Sequence, residues 1–254
     1  SLMNRYKLVI AYDGTDYCGW QEQKDKPSIT SVLKKAFNSV FSKKISIVGA
    51  SRTDAGVHAL GQVALGRTDL VAIPAERLKR AWNNVLPAHI VIRSLDQAVP
   101  SFHPFYNVEQ KTYHYHFFLN RPLPFLSRYG CYYPYPIDVA ILKKVLNFFI
   151  GTHNFVSFRC SEDRREDTVR TIDTISVTYI KRFKMYRIII KGQKFLRHMI
   201  RRIVGASMAV ASVKNKASLD LLQEIMAAQN SNHFLPNAPA NGLLLYNIIY
   251  NNKE

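Results

Sequence analysis

The chain has 254 residues, of which 47% are hydrophobic, and its 35 Lys and Arg against 18 Asp and Glu give a formal net charge of +17 at pH 7. This length allows one large or two modest domains, and no stretch approaches the roughly 18 apolar residues that cross a membrane. Because the cations are spread along the chain, the charge favours a polyanionic partner such as a nucleic acid over a general solubility role. The widely spaced Cys18, Cys131 and Cys160 predict reduced thiols, with neither a disulfide framework nor a zinc site.

In the first half of the chain, alternating apolar residues predict strands and a spacing of three and four predicts helices. Ser28 is a candidate N-cap for the first helix. The predicted elements are strand 5–12, helix 28–41, strands 44–50 and 61–67, helix 74–87 and strand 89–95.

The second half has a similar rhythm, and its first helix has Gly151 as a candidate C-cap. The predicted elements are strand 111–119, helix 138–151, strands 168–180 and 185–192, helices 194–213 and 218–229, and strand 243–250. Each half therefore mixes antiparallel-type strands with a few helices, which predicts an α+β fold. Prolines and polar residues interrupt the pattern at "SFHPFYNVEQ", so we place the domain boundary between residues 106 and 107, giving an N-terminal half 1–106 and a C-terminal half 107–254.

The stretch "SRTDAGVHALGQV" (51–63) places reactive side chains on a loop between two predicted strands. Rigid elements on both sides can hold a loop carboxylate in fixed geometry, which makes Asp54 a candidate nucleophile. On these residues alone, Asp54 could equally turn the loop through backbone hydrogen bonds. Arg52 could equally be a surface partner of Asp54.

The longer stretch "GASRTDAGVHALGQV" resembles the catalytic motif G-R-T-D-x-G-V-H of the tRNA pseudouridine synthase A (TruA) family, with Ser51 in place of the usual glycine. "YDGTDYCGWQEQ" resembles the family's opening strand and loop. "FHPFY" and "KTYHYHFF" resemble the segments around its active-site tyrosine. "FLRHMIRRIVG" and "APANGLLL" resemble two further motifs near the C-terminus. The matches follow the family's order over almost the whole chain.

The resemblance implies two ferredoxin-like (RRM-like) halves that form a continuous, mostly antiparallel sheet, with helices on one face and a central cleft that holds Asp54. It implies isomerisation of uridine to pseudouridine at positions 38, 39 and 40 in the anticodon stem-loop of tRNA. The enzyme would be a cytoplasmic homodimer that binds tRNA and has no membrane role. Isomerisation needs no cofactor and no metal, in keeping with the lack of a dinucleotide fingerprint or Walker loop.

The resemblance also assigns roles, since the target uridine must leave the helical stack to react. Asp54 would be the nucleophile, Tyr113 would stack on the flipped base and handle the proton at C5, and Arg201 would be the cation that keeps Asp54 ionised. Arg52 would help to expel the base, and His58 would contact RNA or stabilise the loop. Arg197 and Arg201 are four residues apart in the predicted helix 194–213, and this spacing predicts a basic helix face that Lys194 and His198 share or adjoin. The other expected RNA contacts are Phe102, His103, Arg164, Arg165 and, in the base pocket, Leu243.

Two other functions compete with this reading. A non-catalytic RNA-binding protein could use the same scaffold, although the Asp54, Tyr113 and Arg201 set argues against it. A retaining glycoside hydrolase would need a second carboxylate about 5 Å from Asp54, and nothing near the motif supplies one. His114 and His116 share a strand face, but two histidines without a third ligand make a weak metal site.

Overall fold

A computed structural model of the chain describes residues 3–214, 217–233 and 235–251. These residues form strands β1 (Asn4–Tyr12), β2 (Ser46–Gly49), β3 (His58–Thr68), β4 (Ile90–Gln97), β5 (Val108–Phe118), β6 (Cys131–Tyr132), β7 (Gly151–Asn154), β8 (Val169–Ile180), β9 (Met185–Gly192) and β10 (Leu243–Tyr250). The helices are α1 (Ile29–Phe41), α2 (Ala75–Val85), α3 (Val139–Phe148), α4 (Met199–Ala211) and α5 (Leu219–Ala228). The α+β class is confirmed. No helix of the described residues has both the length and the apolar character needed to cross a membrane.

The chain divides into two compact units. Unit 1 runs up to Glu109 and includes the residues from Leu244 onward, and unit 2 is Gln110–Leu243. Nearly all of β10 therefore belongs to unit 1, although in sequence it follows the whole of unit 2.

In unit 1 the strand order is β4-β1-β3-β10, with β2 also paired with β3. The β1–β3, β1–β4 and β2–β3 pairs are antiparallel, and β3–β10 is parallel. The predicted strand 5–12 is confirmed, and its alternating residues Tyr6, Leu8, Ile10 and Tyr12 are all buried. Helix α1 begins as predicted at Ser28, whose side chain accepts from the backbone of Ser31 in a reciprocal capping box.

Helices α1 and α2 pack through one aromatic side chain. Trp82 is fully buried, its indole N–H donates to the Leu33 carbonyl at 3.0 Å, and its ring lies 5.0 Å from that of Phe37. A buried indole that has its hydrogen-bond partner adds area burial without a polar penalty. This contact holds the helical layer of unit 1 together.

In unit 2 the strand order is β5-β9-β8-β7, all antiparallel, and β6 pairs with β5 in parallel. Asp138 caps α3 as an N-cap. The predicted end of this helix at Gly151 is wrong: the helix stops at Phe148, and Gly151, with φ of 102°, begins β7. Helix α5 begins at the Ser218 cap, in agreement with the predicted helix 218–229.

Candidate active site

Asp54 lies in the loop between β2 and β3, where the carbonyl of Asp54 accepts from the Val57 N–H at 3.1 Å. Gly56 occupies the left-handed region at φ 82°, which permits the tight turn. The Asp54 side chain is half-buried and that of Arg52 is exposed. Strand β3 begins at His58 rather than at residue 61 as predicted, so only Ala50–Val57 form the loop.

The residue before Asp54 is held from two sides. The Thr53 hydroxyl hydrogen-bonds to the Tyr12 hydroxyl at 2.6 Å, and the Thr53 carbonyl accepts from the Trp20 N–H at 3.1 Å. Gly19 has φ of 101°, and a Cβ there would lie 2.8 Å from the Thr53 carbonyl oxygen. The opening segment "YDGTDYCGW" therefore needs its second glycine to pass this close to the Asp54 loop.

His58 ties the other end of the loop to the same opening segment. The ring is buried, with 4% of its surface exposed. Its Nδ1 accepts from the Gly14 N–H at 3.0 Å and lies 3.3 Å from an Asp13 carboxylate oxygen. The backbone N–H of Gly14 can only donate, so Nδ1 is the acceptor in this hydrogen bond. This geometry favours the loop-stabilising alternative for His58 over RNA contact.

Gln62 provides a third attachment that the sequence did not reveal. Its fully buried amide accepts from the Ser51 N–H at 3.2 Å and donates to the Ser51 carbonyl at 2.5 Å. A buried amide that is satisfied at both ends fixes the backbone it contacts. The one available signal was a Gln among the apolar residues of strand 61–67.

Tyr113 lies in unit 2 on β5, opposite Ile190 of β9. Its side chain is buried, and its ring meets that of Phe195 edge-on at 5.3 Å. Lys111 is two residues away, and burial, with a smaller contribution from the Arg165 charge, lowers its pKa to about 8. An amine with a pKa this low carries its proton less firmly at neutral pH, and sequence reasoning missed it.

Arg201 lies in the first turn of α4 and is held by Ala238. Its Nε donates to the Ala238 carbonyl at 2.8 Å, and its own carbonyl accepts from the Ala238 N–H at 2.9 Å. One turn later, a Cβ on Gly205 would collide with the Pro236 carbonyl oxygen. Arg201 and Gly205 of "RRIVG" thus let the segment 236–238 lie directly against the helix.

The predicted basic stripe of Arg197, His198 and Arg201 on one helix face is wrong. Helix α4 begins at Met199, so Arg197 and His198 precede it, and His198 has φ of 64°. The physical reason is a competing set of backbone bonds: the Arg197 carbonyl accepts from the Cys160 N–H at 2.8 Å, and its N–H donates to Asp163 at 3.3 Å. These contacts hold the segment outside the helix.

Asp163 organises the loop between β7 and β8. Its buried carboxylate accepts from the N–H groups of Arg165 and Arg197 and lies 3.4 Å from the Arg165 guanidinium. Burial raises the pKa of this carboxyl, but the two backbone bonds and the charges of Arg165 and Arg159 outweigh burial and leave it below its usual value. Arg164 and Arg165 remain exposed, as an RNA contact requires.

Arg170 in the same region is a structural residue. It is buried, and one guanidinium nitrogen donates to the carbonyls of Asp167 and Val169 at 3.1 and 2.7 Å. Burial lowers its pKa, and the Asp167 charge acts in the opposite direction. These contacts hold the Arg170 guanidinium inside the protein, whereas Arg164 and Arg165 are exposed.

The remaining predicted site residues are Phe102, His103 and Leu243. Phe102 packs edge-on against Tyr250 at 5.7 Å, with Lys7 Nζ 5.2 Å above its ring. The His103 ring contacts those of Phe105 and Tyr106, which are exposed. Leu243 is buried at the start of β10.

His114 and His116 are both buried. The His116 Nε2 accepts from the Arg187 Nε–H at 2.9 Å, so Nε2 carries no proton in this hydrogen bond. Burial, with the charges of Arg187 and Lys191, lowers the pKa of His114 to about 4. Among residues 3–214, 217–233 and 235–251, no group of three or more His, Cys, Asp or Glu is placed to hold a metal ion.

Known proteins resemble this chain along nearly its whole length. The family model described as tRNA pseudouridine synthase matches residues 8–107 and 146–251. The tRNA pseudouridine synthase A of Thermoanaerobacter sp. (strain X514) is 37% identical over 250 residues, covering 98% of this chain and 100% of the relative. The tRNA pseudouridine synthase A 1 of Protochlamydia amoebophila (strain UWE25) is 38% identical over 256 residues, covering 99% of this chain and 98% of the relative.

Solved structures show a weaker likeness. A chain from the "Crystal Structure of a Cbf5-Nop10-Gar1 Complex" aligns with a TM-score of 0.34 and 12% identity, over 77% of this chain and 43% of that one. This chain thus spans less than half of the solved chain, and the overlap is too small to support a conclusion.

Proposed function

Because this chain belongs to the tRNA pseudouridine synthase family and is therefore an isomerase that acts on uridine in tRNA, we propose that its targets are positions 38, 39 and 40 of the anticodon stem-loop. The observation that carries the catalytic part of the proposal is the loop around Asp54. Its neighbours Ser51, Thr53 and His58 are each held by hydrogen bonds to buried or opening-segment groups. A carboxylate on such a loop is fixed before substrate arrives.

In this proposal Asp54 is the nucleophile. The bond between the ribose carbon and N1 of uracil breaks, the base rotates, and a bond forms between that carbon and C5. The hydrogen on C5 is released, and N1 gains a proton, so the product is an isomer of the substrate. The uridine must first leave the stack, because its reacting atoms are shielded in paired RNA.

We assign Tyr113 and Arg201 to the same reaction. Tyr113 would stack on the uracil and handle the C5 proton, and its ring is held edge-on by Phe195. Arg201 would supply the positive charge that keeps Asp54 ionised when water is excluded. The bond from its Nε to Ala238 supports this role, because it fixes the plane of the guanidinium group.

We propose that the tRNA contacts Arg52 beside the nucleophile, Arg164 and Arg165 on the β7–β8 loop, and Arg197 and His198 ahead of α4. The exposure of the four arginines supports this assignment. Phe102, His103 and Leu243 would provide ring and apolar contacts to the RNA.

We further propose that the enzyme is a cytoplasmic homodimer. The stretch 121–135 supports a contact between copies, because it exposes Leu123 at 68% and Phe125 at 88%. Exposed apolar clusters of this kind mark interaction surfaces.

The proposal that positions 38, 39 and 40 are the targets is tested with three tRNA transcripts. Each transcript keeps one uridine among these positions and carries cytidine at the other two. Each transcript is labelled with tritium at uridine C5, and tritium release is measured. We expect release attributable to the retained uridine from all three. A transcript with all three positions replaced serves as the control, and equal release from it would contradict the assignment to the anticodon stem-loop.

A further inference from the structure

The β8–β9 hairpin of unit 2 ends in a basic turn that the proposed chemistry does not use. Lys181–Phe183 form a short 3₁₀ turn, followed by Lys184 at φ 49°. We call residues 181–184 the hairpin tip. Lys181, Arg182 and Lys184 are all exposed.

Among the residues that the structure describes, no carboxylate neutralises these three cations. In the described part of the chain none of them makes an ion pair, and Arg182 lies over the ring of Phe183 at 5.5 Å. The sequence has no acidic residue between Asp173 and Asp220. A solvated charge run in a folded protein usually has both signs interspersed, so an uncompensated cluster favours an anionic partner.

Three aromatic rings contact one another across β5, β9 and β8 next to the hairpin tip. The ring of buried Phe117 on β5 stacks on that of Tyr186 on β9 at 5.1 Å, and Tyr186 contacts Tyr179 on β8 at 4.8 Å. These residues are direct cross-strand partners. Such pairs stabilise a sheet locally, so the strands that flank the three cations are well ordered.

The tip is well separated from Tyr113 within the same unit. Tyr113 pairs with Ile190, and Lys184 is six residues from Ile190 along the hairpin, which corresponds to about 20 Å at ~3.3 Å per residue. A nucleotide stacked on Tyr113 would be out of reach of the Lys184 side chain. The hairpin tip is therefore suited to binding a part of the substrate other than the nucleotide at Tyr113.

We propose that the hairpin tip binds phosphates of the tRNA at a distance from the target uridine, through Lys181, Arg182 and Lys184. The inference rests on the proposed function for its choice of RNA. Phosphate contacts add affinity without reading sequence and make binding depend on salt. Their loss changes the dissociation constant and leaves the chemical step alone.

The test is a triple variant, Lys181→Gln, Arg182→Gln and Lys184→Asn, since asparagine tolerates the left-handed backbone of Lys184. The control variant, Lys35→Gln, Lys143→Gln and Lys144→Gln, removes the same charge from exposed positions on α1 and α3. Filter binding to a full-length tRNA transcript at several salt concentrations gives the dissociation constant and its salt slope. Tritium release at saturating tRNA gives kcat.

We expect the triple variant to bind at least about tenfold more weakly at low salt, and its salt slope to fall by about one for each lost contact, with kcat unchanged. An affinity and slope equal to those of the parent, or an equal loss in the control variant, would overturn the proposal. A lower kcat with unchanged affinity would also overturn it. If the triple variant fails to fold, the single variants Lys181→Gln and Arg182→Gln carry the same test. A parent that binds tRNA but releases no tritium would refute the proposed function, while the binding comparison would still decide the role of the tip.

Discussion

Arg201 and Ala238 are joined twice, once through the Arg201 side chain and once through its backbone carbonyl, at 2.8 and 2.9 Å. The segment that contains Ala238 is itself tied to β5, because the Tyr115 hydroxyl donates to the Pro239 carbonyl at 2.7 Å. Burial raises the pKa of Tyr115, so this phenol stays a donor. The position of the Arg201 guanidinium is therefore set by residues that lie far from it in sequence.

The first prediction concerns Gly205, which allows that segment to lie against α4. In an ordinary helix, Gly→Ala stabilises by about 0.5–1 kcal/mol. Here the new methyl group would meet the Pro236 carbonyl oxygen, so we expect Gly205→Ala to destabilise by about 1–3 kcal/mol and to lower kcat through Arg201. Urea unfolding measures the change in the free energy of unfolding. An alanine variant more stable than the parent would show that the Pro236 carbonyl does not restrict this position.

The second prediction concerns the support of the Asp54 loop. Tyr12→Phe removes the hydroxyl that bonds to Thr53 at 2.6 Å, and we expect a loss of about 1 kcal/mol of stability with a lower kcat. The matched control is Tyr6→Phe, on the same buried face of β1, because the Tyr6 hydroxyl makes no hydrogen bond to the described residues. If both variants keep the parent's kcat, the bond to Thr53 does not position the nucleophile.

The third prediction uses Asp163 and pH. The folded state holds the pKa of this carboxyl below its usual value, so its contribution to stability is complete above the unfolded pKa of about 4 and is lost as pH falls through the lower folded value. Asp163→Asn offers only one acceptor oxygen to the two N–H groups, and we expect it to cost about 1–3 kcal/mol at pH 7. Thermal unfolding from pH 7 to pH 3 should show the two proteins converging, whereas a constant gap would mean that the charge is unimportant.

The fourth prediction concerns His114, whose pKa is lowered to about 4. Between pH 6.5 and 4 the unfolded chain binds this proton and the folded chain does not, so the histidine makes stability fall as pH decreases. We expect His114→Gln to reduce the fall of Tm with decreasing pH over this range. Each kcal/mol of stability that no longer depends on pH corresponds to about 2–4 °C in Tm. A parallel profile for His114→Gln would show that His114 does not titrate in this way.

Local patterns were sufficient for most elements of the fold. The alternation of residues 5–12 predicted β1 and its buried face, and Ser28 predicted the start of α1, because both depend on neighbours in sequence. The start of α4 was beyond such reasoning. Residues 194–198 have good helix propensity, but Asp163 and Cys160 bind the backbone of Arg197 from a distant loop, and tertiary contacts override propensity.

The candidate site divides in the same way. Motif spacing led to the Asp54 loop, whereas its attachments to Tyr12, Trp20 and Gln62 follow from the strand register of unit 1. The hairpin tip could not be predicted as a binding site from the sequence, because two lysines and an arginine are also typical of an ordinary solvated turn. Its significance comes from the contacting rings of Phe117, Tyr186 and Tyr179 on the adjacent strands, and from the absence of ion pairs to its cations among the described residues.

The central claim is that Asp54 is the nucleophile of a uridine isomerase. The most direct measurement is tritium release from tRNA labelled at uridine C5, made on the parent and on Asp54→Ala, with tRNA binding and thermal unfolding measured on both. We predict release by the parent and none by an Asp54→Ala variant that still folds and binds tRNA. Release by the variant at the parent's rate would contradict the role of Asp54, and tight binding without release by either protein would favour a non-catalytic RNA-binding protein.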